Sequence, residues 1–167
     1  MLSFFRGPVK LTRALKVNIG RGKDFSYPEL YFVFLFLGRE FDIYQCHFGP
    51  AGCVGALLKQ AGFKGKVVTT FHGYDVTSYV NQHGPDVYKT LFAVGDLFTY
   101  NSEATRQKVL ALGAPADKTV KLPMGIDVQR IVFSPKEFKP GQCVNILSVG
   151  RLVEMKGREY ALSLIHI

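Results

Sequence analysis

The sequence predicts an α/β fold built on a doubly wound parallel sheet, and three observations carry that expectation. Short β-branched or apolar runs alternate with helix-like stretches between residues 41 and 122. Three of these runs, and a further one over 143–149, end in clusters that join glycine to a polar or charged side chain, as loops beyond strand ends do. Of 167 residues, 47% are hydrophobic and 20% charged, with 17 Gly and 8 Pro, which excludes disordered, collagen-like and low-complexity chains. A single domain of such length buries roughly two thirds of its unfolded surface.

Residues 1–23 hold Arg6, Lys10, Arg13, Lys16, Arg21 and Lys23 and no acid. As a helix, their apolar neighbours share a face only imperfectly. The plain reading is a solvated surface helix, and the functional one is docking on anionic membrane lipids. After Pro28, the apolar run 29–37 closes at Gly38 and suits a short helix buried on most sides. A strand over 41–46 follows, then a helix of small and aliphatic residues over 52–61. The β-branched run 66–71 is the next strand, 85–94 a helix, and 96–100 a strand. Asn101 and Ser102 supply a cap for a helix over 103–112, whose apolar side carries Val109, Leu110 and Leu112 and which Gly113 stops. A strand over 119–122 ends this series.

From 128 to 142 the rhythm breaks, and Pro135, Pro140 and Gly141 mark a linker. Residues 143–149 begin a fresh strand. A loop over 150–157 then opens a helix near Arg158.

The balance of 21 Lys plus Arg against 13 Asp plus Glu gives a net charge of +8. That surplus favours anionic partners: nucleic acid, acidic lipid or phosphorylated small molecules. Nucleic acid is set aside, because neither a recognition motif nor a basic stripe interleaved with aromatics is present. Cys46, Cys53 and Cys143 are odd in number and form no C-x-x-C pair, so they read as reduced packing residues of a cytosolic protein. The longest apolar run, 30–37, falls short of the roughly 18 residues a membrane-spanning helix needs. The start lacks the continuous apolar block and cleavage site of a signal peptide.

In open parallel sheets, ligands bind beyond the carboxyl ends of the strands. The clusters expected there are H-F-G-P-A-G over 47–52, F-H-G-Y-D over 71–75, P-M-G-I-D over 123–127 and G-R-L-V-E-M-K-G over 150–157. Gly49, Gly52, Gly73, Gly125 and Gly150 permit close backbone approach. Arg151 and Lys156, framed by Gly150 and Gly157, together match the adjacent anionic oxygens of a diphosphate, and the following helix adds N–H donors. The bland alternative is two solvated loop charges. No G-x-x-x-x-G-K-[ST] stretch exists, which excludes a Walker-type phosphate loop. His72 is placed to hydrogen-bond a sugar hydroxyl or to stabilise developing charge, against the commoner structural role of a lone histidine. His47 has a similar position. Asp75 fixes either the loop or the imidazole, and Asp127 caps or pins its turn.

Together these stretches resemble the family-4 retaining glycosyltransferases of the GT-B fold, nearest to those of exopolysaccharide and colanic acid biosynthesis. The likeness rests on D-I-Y-Q-C-H-F-G-P (42–50), V-T-T-F-H-G-Y-D-V (68–76), K-L-P-M-G-I-D (121–127) and I-L-S-V-G-R-L-V-E-M-K-G (146–157), and covers about residues 40–161. It implies two Rossmann-like domains facing one another across a cleft that holds a nucleotide-sugar donor. By that resemblance Arg151 and Lys156 bind the donor diphosphate, and His72 faces the donor sugar near the reacting centre. No metal or other cofactor is expected, since the cations replace the usual divalent ion. The reaction would transfer a hexose, with retention, to a saccharide or lipid-linked acceptor. The enzyme would be cytoplasmic, with peripheral contact on the inner face of the membrane through residues 1–23.

The expected domains are a partial N-terminal Rossmann-like domain over 1–127, a linker over 128–142, and the first strand–loop–helix of a donor-binding domain over 143–161. Residues 162–167 depart from the polar and small pattern of that helix and read as a non-native tail. The family's opening strand and glycine-rich loop are not visible before Phe41, and its acidic E-x7-E motif is absent. The chain therefore reads as a fragment, inactive alone. The alternative is a non-catalytic module binding anionic lipid or polyphosphate.

Overall fold

The computed structural model describes residues 6–19, 27–37, 39–137 and 139–164. They fall into two compact units, Met1–Gly125 and Ile126–Ile167.

The first unit is organised by four strands: β1 (Ile43–His47), β2 (Lys66–Phe71), β3 (Leu97–Tyr100) and β4 (Thr119–Lys121). All three neighbouring pairs are parallel, and the order is β1-β2-β3-β4. The α/β parallel-sheet expectation is met, and among the described residues the order advances in one direction. His47 pairs with Thr70 and Phe71 with Tyr100, so the carboxyl ends of β1, β2 and β3 are level. The loops that follow these strands therefore open on one edge.

Helix α1 (Arg6–Ile19) and helix α2 (Tyr27–Phe36) precede the sheet. α3 (Gly49–Gln60) begins three residues earlier than the sequence suggested, because Pro50 sits in the first turn, where its missing N–H has no helical partner to lose. α3 lies close on the sheet: a Cβ at Gly55 would stand 2.8 Å from a Val67 methyl and 3.0 Å from Cys46 Sγ. Strand alternation directs Cys46, Val67, Thr69 and Phe71 toward this helix. Phe71, Tyr88, Leu91, Phe98 and Val109 continue the core beneath the following helices. These are α4 (Ser78–His83), α5 (Lys89–Val94) and α6 (Glu103–Ala111).

Several expectations need correction. α2 is not buried on most sides: Val33 is buried, but Tyr31 and Phe32 are 61% and 45% exposed. Its contacts run along one side, to α1 and α3, and an all-apolar sequence does not reveal which side that is. The helix expected over 85–94 is a 3-10 turn (Pro85–Tyr88) joined to α5 where Tyr88 leaves helical geometry at φ −104°, ψ 4°. α4 was not foreseen at all. α6 matches its reading, with Ser102 Oγ accepting from Thr105 N at 3.2 Å and Gly113 ending the turn at φ +94°.

The opposite sheet face carries Gln45, His47, Thr70 and Thr99 by the same alternation. Gln45 Nε2 donates to Thr70 Oγ1 at 2.8 Å, and Thr70 Oγ1 lies 2.7 Å from Thr99 Oγ1. This polar row is unusual for a parallel sheet, whose faces are ordinarily apolar. At the other end of the strands, Asp96 gathers Lys59 Nζ (2.8 Å), Lys66 Nζ (3.2 Å) and Val67 N (2.8 Å). Burial pushes the Asp96 carboxyl up, but these hydrogen bonds and the Lys59 charge outweigh it and hold the group below its ordinary range.

In the second unit the strand expected over 143–149 does not form. No described strand lies beside it to take its backbone groups, and Ile146 and Leu147 are 90% and 87% exposed. Cys143 is exposed, so a packing role fits the buried Cys46 and not this residue. The contact boundary places Ile126 and Asp127 with the second unit. Helix α7 (Arg158–Ser163) follows the loop as expected. Of the presumed tail, residues 165–167 lie outside the described residues. No helix among the described residues is long and apolar enough to cross a membrane.

Candidate functional site at the carboxyl edge of the sheet

The loops after β1 and β2 are tied together by one buried carboxylate. Asp75 has no exposed surface. Its Oδ2 accepts from Gly49 N at 3.0 Å, and its Oδ1 accepts from His72 N at 3.0 Å and Gly73 N at 2.8 Å. Of the two roles left open for Asp75, the structure selects the loop: it holds the backbone of His72, not the imidazole. Tyr88 completes the anchor from below, its hydroxyl donating to the Asp75 carbonyl at 2.7 Å. Burial first, and the nearby Asp75 charge second, push the Tyr88 phenol well above its ordinary value, so it stays a neutral donor.

The glycines divide by cause. Gly49 is glycine because a Cβ would enter the Tyr88 ring, and Gly52 because one would stand 2.6 Å from Thr69 Oγ1. Internal packing, rather than ligand approach, accounts for both. Gly73 turns at φ +109° with open space around it. Gly125 also stands in open space.

On this frame two imidazoles meet. His47 Nδ1 lies 3.0 Å from His72 Nε2, with ring centroids 5.3 Å apart. The Phe48 ring leans on His72 at 4.6 Å. Phe48 is the sole described non-glycine residue with positive φ, at φ 72° and ψ 145°. Such a backbone is strained for a bulky side chain, and its bonds hold it: Phe48 N donates to Thr70 O at 2.9 Å, and Phe48 O accepts from Gly52 N at 3.1 Å. Sequence reasoning placed both histidines at strand ends but missed their contact and the role of Phe48. The signal was parity: 47 and 72 fall on the same sheet face once His47 is registered against Thr70.

Within the second unit, Arg151 and Lys156 are exposed on the loop over 150–157. Gly157 takes the left-handed conformation at φ 59° and starts α7. The loop is braced by a residue the sequence reading passed over: Arg158 donates to Ser148 O and to Gly150 O. Asp127 does pin its turn, Oδ1 accepting from Gln129 N at 3.1 Å. Elsewhere, burial pushes the Cys46 thiol up to about 12, which leaves it unreactive as a nucleophile.

A parallel sheet with paired histidines beyond its strand ends fits many chemistries, and comparison with known proteins decides the family. A model of Glycosyltransferase Family 4 matches residues 11–130. The chain belongs to glycosyltransferase family 4. This family-4 chain is 38% identical over 125 residues to WcaL of Escherichia coli (strain K12), a protein named for glycosyl transfer in colanic acid biosynthesis, covering 72% of the chain and 30% of WcaL. It is 35% identical over 129 residues to the amylovoran biosynthesis glycosyltransferase AmsK of Erwinia amylovora, covering 75% of the chain and 31% of that protein. A GDP-mannose-dependent α-(1-6)-phosphatidylinositol monomannoside mannosyltransferase of Mycobacterium tuberculosis (strain CDC 1551 / Oshkosh) is 26% identical over 129 residues, with 72% of the chain and 34% of the relative covered. The family-4 chain thus spans 30 to 34% of the length of these relatives. No solved structure matches it.

Proposed function

We propose that this family-4 chain is part of a retaining hexosyltransferase that moves a sugar from a nucleotide-sugar donor to a saccharide or lipid-linked acceptor during exopolysaccharide assembly. The observation that carries the reading is the presentation of His72 at the carboxyl edge: a half-buried residue whose backbone is held by a fully buried carboxylate and whose ring lies against His47 and Phe48. Such a group can hydrogen-bond a donor sugar without reorganising, which is how fixed polar groups lower a barrier. Arg151 and Lys156 serve the donor diphosphate, taking up charge as the nucleotide leaves, and no metal is part of the proposal. Names given to relatives in colanic acid and amylovoran biosynthesis support the pathway class. On α1, the exposed Arg13 and Lys16 suit transient contact with an anionic bilayer at the cytoplasmic face.

The test uses a polypeptide of the relatives' length that carries this sequence, assayed with a panel of nucleotide sugars and lipid-linked saccharide acceptors. His72→Ala is expected to lower kcat by at least about 100-fold. Arg151→Ala and Lys156→Ala should each lower kcat/KM by about 10- to 100-fold, and chelator should leave transfer intact. Product with inverted anomeric configuration, or full activity without His72, would overturn the reading.

A further inference from the structure

We propose that His47 is a positioning residue for His72: its Nδ1, 3.0 Å from His72 Nε2, fixes the ring plane of His72 and couples the tautomer in which His72 presents Nδ1 to a ligand to that of His47. The functional consequence rests on the reading of His72 given above; the pairing itself does not.

Parallel register makes the arrangement a built one. His47 closes β1 and pairs with Thr70, so His72, the first residue after β2, stands two positions beyond its register partner. Asp75 pins the His72 backbone, and Phe48 packs on its ring. What remains free is rotation of the imidazole and the choice of protonated nitrogen. The contact with His47 removes the first freedom and ties the second to the protonation of His47.

Proton arithmetic then couples the outer atoms. A hydrogen bond between two imidazoles needs an N–H on one shared nitrogen and a lone pair on the other. When His47 Nδ1 donates, neutral His72 carries its proton on Nδ1 and offers a donor there. When His72 Nε2 donates, His72 Nδ1 is an acceptor and neutral His47 carries its one N–H on Nε2. In a neutral pair, therefore, one of the two outer nitrogens is protonated, and the other is not. A proton taken up at His72 Nδ1 passes the Nε2 proton to His47 Nδ1 and releases one from His47 Nε2, leaving charge and atom count unchanged. His47 thus supplies His72 with an orienting partner, the role carboxylates and carbonyls fill for other functional histidines, and adds an exit for a proton that those groups lack.

The experiment has two arms. In the 167-residue chain labelled with 15N-histidine, two-bond proton–nitrogen spectra should show His72 and His47 in linked tautomers, with a proton shared between His72 Nε2 and His47 Nδ1. His47→Phe keeps a ring but no nitrogen; His72 should revert to the tautomer mixture of free imidazole and lose the shared proton. His47→Asn places an amide near the former Nδ1 and should restore a hydrogen bond at His72 Nε2, moving its tautomer populations away from those of free imidazole. In the longer polypeptide, His47→Phe should lower kcat about tenfold with acceptor KM unchanged, and His47→Asn should recover most of it. An unchanged His72 spectrum in folded His47→Phe overturns the inference, whatever His72→Ala does to transfer. Loss of the linked tautomers in His47→Phe together with full transfer in His72→Ala would instead remove the functional reading and leave the pairing standing.

Discussion

Replacing Asp75 tests the frame on which the site depends. Alanine at this position deprives Gly49, His72 and Gly73 of the acceptor their N–H groups use, at 3.0, 3.0 and 2.8 Å. Each bond to a charged acceptor contributes about 1.5 to 3 kcal/mol, and water can reach some of the half-exposed loop once the side chain is gone. The expected loss is therefore about 3 to 5 kcal/mol, a large share of the stability of a small domain. Asparagine separates bonding from packing. Its oxygen can keep His72 N and Gly73 N, but its amide then faces Gly49 N donor to donor, so about 1 to 2 kcal/mol should be lost. The chain has no Trp, so urea unfolding is best followed by far-ultraviolet circular dichroism. With a slope of about 1 to 3 kcal/mol per molar urea, the two variants are resolved from each other and from the parent. If alanine unfolds the chain outright, the asparagine midpoint still carries the test. A loss below about 1 kcal/mol for alanine, or asparagine as damaging as alanine, would refute the account of Asp75 as the acceptor joining two loops.

Three further outcomes follow from single contacts. Gly49→Ala drives a methyl into the buried Tyr88 ring and should cost about 1 to 3 kcal/mol in the same urea assay; a neutral result would mean that the ring moves freely. Phe48→Gly releases the strain at φ 72° and should raise stability by about 1 kcal/mol while broadening the His72 ring signals, and a fall in stability would contradict the strain. The Asp96 carboxyl is held below its ordinary value in the fold, so its contribution is complete above the unfolded pKa of about 3.9 and is lost as pH falls through the folded value. Asp96→Asn should flatten the decline of urea midpoints between pH 6 and pH 3, and parallel profiles for variant and parent would count against it.

Much of the sheet was legible because its strands are short, β-branched and punctuated. Lys66–Phe71 appears as expected to the residue, since K-V-V-T-T-F has no competing helical period. The helix over 85–94 was harder: an apolar count cannot see that Tyr88 must turn inward to reach the Asp75 carbonyl, and that demand breaks it into two elements. α2 was read as buried because Y-F-V-F-L-F is apolar all round, which says nothing of how many neighbours the helix finds. The strand expected over 143–149 fails for a related reason, because a strand is a property of pairs and local sequence supplies only half of one. At the candidate site, His72, Gly73 and Asp75 stand out in sequence as a cluster that follows a strand. His47 and Phe48 acquire their roles from register and backbone strain, which appear only when two strands lie side by side.

The two sets of candidate ligand groups are prepared in different ways, and that difference bears on the proposed chemistry. His72 is ordered before any ligand arrives: its backbone is fixed by Asp75, one face by Phe48 and one nitrogen by His47. Arg151 and Lys156 are exposed long chains, and Arg158 braces only the backbone of their loop. Ordering such side chains on a diphosphate costs up to about 2 kcal/mol each in rotamer entropy, offset when charge-assisted bonds form. On the proposed function, a group that meets the reacting sugar gains from being fixed, since misplacement there raises the barrier directly. Groups that would meet the leaving diphosphate act on the same barrier, but only after the cost of ordering them has been offset by the bonds they form. If His72 meets the sugar as proposed, an imidazole ordered in advance spares the transition state the cost of ordering it, so loss of His47 should show in kcat more than in donor affinity.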